Sequence, residues 1–121
     1  AVTREKNSRL TISTEGDVTL VELAERRILD EVSISEIGDS LNALVVQSPK
    51  PRLVLDFSKV AHMSSSALGM LITLHKRTRE KGGELRLCCI QPAIYEVFVI
   101  TRLNEIFSIH QTRPQAMDSL K

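Results

Sequence analysis

The stretch from Asp56 to Ser66 gathers side chains whose types and spacing could do chemistry. An aspartate closes the apolar run Leu53-Val54-Leu55, and after a short loop come His62, Met63 and three successive serines, Ser64, Ser65 and Ser66. Hydroxyls placed ahead of the apolar pattern "ALGMLITL" admit three chemistries. The first is capping: Ser64 or Ser65 accepts a hydrogen bond from a backbone N–H that the first helical turn leaves without a partner. Capping needs one serine, not three. The second is nucleophilic attack by a serine, with His62 as base and Asp56 as the orienting acid. That arrangement requires hydrogen-bond reach and an oxyanion hole, and the chain has no G-x-S-x-G elbow. The third is modification. A hydroxyl at a helix N-terminus stays exposed while its backbone is fixed, and a phosphate there meets free N–H groups and the positive end of the helix dipole. It adds about −1.5 to −2 charges near neutral pH without unfolding the domain. A partner covering that spot then faces a buried or repelled dianion.

Around the serines, Lys59, His62 and Met63 are read as partner-facing, with an ordinary exposed loop as the bland counterpart. Asp56 either orients Ser65, or a metal-bound nucleotide in a kinase complex, or ties the loop down through backbone N–H groups. Leu68, Leu71, Ile72 and His75 share one helix face and are read as core. Met70 and Leu74 form an adjoining stripe, a docking candidate if exposed. Phe98, Val99 and Ile100 cover more than one face of a helix, so one of them is expected at the surface. Cys88 and Cys89 are adjacent; strand neighbours point to opposite faces, so no bond between them is expected. No metal-ligand spacing is present, and no metal or other cofactor is expected. Reduced thiols and the lack of a visible secretory leader lead to the expectation of a cytoplasmic protein.

The elements that must carry these residues alternate along the chain. "RLTISTEG" and "DVTLVELAE" read as strands of a hairpin turning at Glu15-Gly16-Asp17. A helix is expected from about Ser33 to Val46, with Ser33 and Glu36 at capping-box spacing and Ile34, Ile37, Leu41 and Leu44 as its apolar stripe. "QSPKP" ends it. "RLVLDF" reads as a strand covered on both faces. The helix after the serines carries Lys76, Arg77, Arg79 and Lys81 towards its C-terminus and stops at Gly82-Gly83. "ELRLCCI" is a strand, "PAIYEVFVIT" a helix opened by proline, "EIFSIH" a strand and "RPQAMDSLK" a short helix. The expectation is an α/β fold: a mixed five-stranded sheet with an N-terminal β-hairpin and about four helices. In such sheets, sites form at the carboxyl ends of strands, and the loop after Asp56 is one such place.

The 121 residues fit one domain, taken as 1–121. Lys and Arg number 16 against 15 Asp and Glu, and aromatics are 3%. Neither a basic footprint nor a stacking platform for nucleic acid is present. The longest apolar run is far short of a membrane span, so no nucleic-acid and no membrane partner is expected.

From Leu53 to Phe107 the chain resembles the STAS domain of bacterial anti-sigma factor antagonists. A strand ends in Asp, a short loop leads to serines opening an apolar helix, and Gly-Gly, a strand and a Pro-started helix ending in "RL" follow. The hairpin and first helix fit in order, though not by motif. The resemblance implies a non-catalytic switch that binds an anti-sigma factor serine kinase and is released by phosphorylation, with a phosphatase restoring it. Many members read Asp-Ser-Ser-Gly or Asp-Ser-Thr-Gly after an apolar residue. That pattern, laid after Met63, puts Ser64 at the Asp position, Ser65 at the phosphorylated serine, Ser66 at the next hydroxyl and Ala67 at the glycine. Ser65 is thus the expected phosphorylation site, ahead of Ser64 and Ser66, and Asp56 matches the acid ending the strand. The expected partner-binding residues are Asp56, Lys59, His62, Met63, Ser64, Ser66 and Met70. The family also contains constitutive scaffolds and subunits of lipid-transport complexes, which stand as the alternative, with a serine hydrolase as a remote one.

Overall fold

The computed structural model describes residues 4–6 and 9–120. The first strands are β1 (Arg4–Lys6), β2 (Leu10–Glu15) and β3 (Val18–Leu23), each antiparallel to the next. Gly16 takes φ +62°, a left-handed turn conformation that glycine adopts without a Cβ penalty, and this closes the β2–β3 hairpin. A two-residue strand β4 (Arg27–Ile28) leads into α1 (Glu31–Gln47). Strand β5 (Arg52–Asp56) follows, then the short β6 (His62–Met63), α2 (Ser65–Glu80), β7 (Glu84–Cys88) and α3 (Pro92–Ile100). A 3-10 turn at Leu103–Glu105, β8 (Ser108–His110) and α4 (Arg113–Asp118) complete the chain.

The main sheet runs β1-β2-β3-β5-β7-β8, with β3, β5, β7 and β8 mutually parallel. The five strands expected from sequence are all in it, and the three-residue β1 extends the antiparallel edge. Four helices accompany it, as expected. The final strand is shorter than "EIFSIH" implies, because its first residues belong to the 3-10 turn and to the link that buries Phe107.

Alternation along β5 decides what each face does. Leu53 and Leu55 join the larger core, with Ile34, Ile37 and Leu41 of α1, Leu68, Leu71 and Leu74 of α2 and Ile94 and Phe98 of α3. Val54 points the other way, into a smaller core with Val18, Leu20, Cys88 and α4's Ala116 and Met117. Full burial of each such aliphatic side chain contributes about 1.5–3 kcal/mol before the entropy of ordering is subtracted. By the same alternation Asp56 lies on the α4 side of the sheet, whereas the helix opened by the serines packs on the opposite side.

Two expectations for the helices are corrected. Helix α1 begins earlier than Ser33: its N-cap is Asp30, whose carboxylate accepts from the Ser33 N–H at 2.9 Å. Ser33 is buried inside the first turn, and its hydroxyl accepts from the Arg9 guanidinium at 2.8 Å. The core stripe of α2 is Ala67, Leu68, Leu71, Leu74 and Thr78, with Ile72 and His75 only half-buried. Leu74 therefore faces inward against α1 instead of offering a docking stripe. Met70 lies over Gly38, where an added Cβ would stand 3.0 Å from its Cγ. The helix stops at Gly82, at φ +69°, and a Cβ on Gly83 would collide with the Pro51 carbonyl oxygen.

Candidate functional site

The loop between β5 and α2 is fixed at both ends. At its start the Asp56 carboxylate accepts from the Ser58 N–H at 2.8 Å. At its end β6 pairs in parallel with β4, placing Met63 beside Ile28, and the Ser64 N–H donates to the Ile28 carbonyl at 3.1 Å. The Ala61 and His62 N–H groups both donate to the Arg26 carbonyl. Sequence reading missed this small β4–β6 ladder, because two-residue strands carry no periodicity.

Ser64 is the N-cap of α2. Its backbone is extended, at φ −88° and ψ 168°, and its hydroxyl accepts from the Ala67 N–H at 3.2 Å. The capping expectation thus resolves to Ser64, one of the two serines considered. Ser65 and Ser66 follow in the first turn, both exposed. Their N–H groups lie at the positions that have no intrahelical acceptor. The first turn of α2 carries no acidic residue. His62 is exposed just ahead of this turn, Lys59 is exposed in the loop before it, and Met63 is half-buried. Leu29, which follows Ile28, and Val32 of α1 are exposed apolar residues at 41% and 62%; neither was singled out from sequence, where the helix is expected to begin after both.

Asp56 ties the loop down through a backbone N–H, one of the two readings made of it, and is not the partner-facing residue also expected. It is 2% exposed, and its second oxygen accepts from Arg113 Nε at 3.0 Å and from an Arg113 terminal nitrogen at 2.5 Å. Burial resists ionisation of Asp56, but the Ser58 N–H and the Arg113 guanidinium outweigh it and hold the carboxyl below its ordinary range. Arg113 also donates to Glu22 at 2.9 Å, and Glu22 pairs with Lys59 at 2.8 Å. Lys59 foremost, then Arg113, lowers the Glu22 carboxyl against the opposing effect of burial. This four-residue network anchors the loop to α4. No local motif pointed to it, since Asp56 and Arg113 are 57 positions apart.

Asp56 is therefore engaged by Arg113 and Ser58, not by His62, and its position on the α4 face separates it from Ser65. The Ser/His/Asp arrangement is not assembled, which removes the geometric basis of the hydrolase alternative. Met70 sits in a shallow groove between α1 and α2, lined also by Gly38, Asp39, Asn42, Leu74 and Arg77.

The model of the STAS domain family matches residues 9–116. The chain belongs to the STAS domain family. A curated relative named anti-sigma F factor antagonist, from Paenibacillus polymyxa, is 28% identical over 115 residues, covering 95% of this chain and 97% of its own. Among solved structures, an anti-sigma-factor antagonist (STAS) domain protein from Planctomyces limnophilus superposes with a TM-score of 0.83 at 22% identity, covering 91% of this chain and 96% of its own. The Bacillus cell fate determinant SpoIIAA, solved in its phosphorylated form, gives a TM-score of 0.67 at 16% identity and full coverage of both chains. Likeness at these identities establishes the STAS fold, with its mixed sheet. No helix among the described residues is long and apolar enough to cross a membrane.

Proposed function

We propose that this STAS domain is a non-catalytic, cytoplasmic anti-sigma factor antagonist that binds an anti-sigma factor serine kinase through the surface around Ser65 and is released when Ser65 is phosphorylated. A phosphatase reverses the switch. The observation that carries the reading is the division of labour in the first turn of α2. Ser64 is consumed as the cap, while Ser65 is exposed on backbone pinned by the β4–β6 ladder. The names of the relatives support the partner, and the phosphorylated form of the SpoIIAA neighbour supports the chemistry.

The physical argument concerns the difference between free and bound states. A phosphate on Ser65 adds about −1.5 to −2 charges beside the unpaired first-turn N–H groups, so the free domain tolerates it. In a complex the same dianion is desolvated beside exposed Leu29 and Val32. Burying an uncompensated charge costs several kcal/mol, enough to separate the proteins. His62, Met63, Ser64 and Ser66 flank the acceptor along the chain and, with Lys59 of the preceding loop, are the contact residues of this reading, and Met70 extends the surface along the α1–α2 groove.

The test is incubation with ATP and an anti-sigma factor kinase that binds the domain, followed by mass spectrometry of the tryptic peptide 60–76. Phosphate is expected on that peptide, absent in Ser65→Ala, with binding abolished by Ser65→Asp. A bound kinase that leaves the peptide unmodified, or a Ser65→Asp protein that binds like wild type, overturns the reading.

A further inference from the structure

Cys88 and Cys89 do not point to opposite faces as adjacent strand residues would. Strand β7 ends at Cys88, and Cys89 leaves it with φ +62°, a left-handed backbone uncommon for a residue with a Cβ. That turn brings the Cys89 side chain round to pack against the smaller core, on the side of the sheet where Cys88 already lies. Cys88 is the cross-strand partner of Asp56, so its side chain shares a face with the carboxylate. One ligand atom from each of Asp56, Cys88 and Cys89 thus lies within 4.8 Å of the others. Two sulfurs about 2.3 Å from a tetrahedral ion are about 3.8 Å apart, so a shift of about 1 Å at most assembles the set.

We propose that Cys88, Cys89 and Asp56 form a binding site for a soft divalent cation of the zinc and cadmium class, a site whose carboxylate Arg113 engages when the ion is absent. The donor chemistry selects the class: two thiolates and one carboxylate suit zinc or cadmium and not magnesium or calcium. The guanidinium of Arg113 stands on Asp56 where the ion would share the negative charge. Cys88 is fully buried while Cys89 is half-exposed, which gives the ion a way in past Cys89. Binding is balanced as one divalent ion taken up and two thiol protons released, leaving two metal–sulfur bonds and one metal–carboxylate bond; water fills the fourth position. The site's ligands lie on the opposite face of the sheet from α2, so the ion itself does not touch the serines.

The test is titration of the reduced full chain with cadmium, read by the ultraviolet thiolate-to-metal charge-transfer absorption and by proton release in weak buffer. The expected result is saturation at one ion per chain with two protons released. Cys89→Ser abolishes the saturable absorption, Asp56→Asn weakens binding at least about tenfold, and Arg113→Gln tightens it by removing the competing cation. Cys89 is half-exposed, so its variant keeps the test valid if Cys88→Ser fails to fold. Absence of saturable absorption in the wild type, the same absorption in Cys89→Ser, or weaker binding in Arg113→Gln overturns the proposal.

Discussion

Removing the Arg113 guanidinium tests whether the loop anchor is electrostatic. In Arg113→Met the stem is kept and the charge is lost, leaving the Asp56 carboxylate 2% exposed with the Ser58 N–H still donating to it at 2.8 Å. Breaking a fully buried pair costs about 3–5 kcal/mol. The Arg113 side chain is 39% exposed, however, and solvent screens it towards the ~0–1 kcal/mol of surface pairs. We expect a loss of about 2 kcal/mol at neutral pH, a shift of about 1 M in the urea midpoint, measured with a chelator present. The pH dependence separates charge from packing. The Asp56 carboxyl is depressed in the folded wild type, so its stabilisation is complete above the unfolded value of about 3.9 and is lost as pH falls through the lower folded value. Without Arg113 the folded value rises, and the variant loses less on acidification. The difference between the two proteins should therefore be largest near neutral pH and shrink as pH falls through the carboxylate range, below about 4. A difference under ~0.5 kcal/mol at neutral pH, or one that does not change with pH, refutes the reasoning.

Further outcomes follow from other parts of the molecule. Ser64→Ala removes the α2 cap and should cost about 1 kcal/mol by urea unfolding, while Ser64→Asp retains the cap and restores most of it. Gly83→Ala forces a Cβ onto the Pro51 carbonyl and should destabilise by about 1–3 kcal/mol, with Gly16→Asn as a milder control in the hairpin turn. Burial, and then Arg79, lowers the pKa of His75, whose ring meets Phe107 edge-on at 5.1 Å. The unfolded chain therefore takes up the proton first, and stability from this group is lost as pH drops below about 6.5. His75→Phe should flatten stability between pH 7 and about pH 5 in urea titrations; an unchanged slope counts against the assignment.

What the sequence determined by itself was local. The order of five strands of the sheet, β2, β3, β5, β7 and β8, and of the helices between them, the hairpin at Gly16, the helix stop at Gly82-Gly83, and a serine cap on α2 all follow from periodicity and from residues whose backbone preferences are strong. The resemblance singled out Ser65, and its exposure at the head of α2 is consistent with that. Tertiary structure alone decided the rest. Asp56 could not be assigned from sequence between serine, loop and surface, because its partner Arg113 arrives from α4 at the far end of the chain. The Ser33 hydroxyl meets Arg9, 24 positions away, and not the helix N-terminus, which Asp30 caps. Leu74 went inward and Ile72 stayed half-exposed because α1 packs over one side of α2. Cys88 and Cys89 came together because a single left-handed residue overrode strand alternation. In each case the deciding contact joins residues whose separation in sequence carries no period, or depends on one dihedral angle that residue type does not dictate.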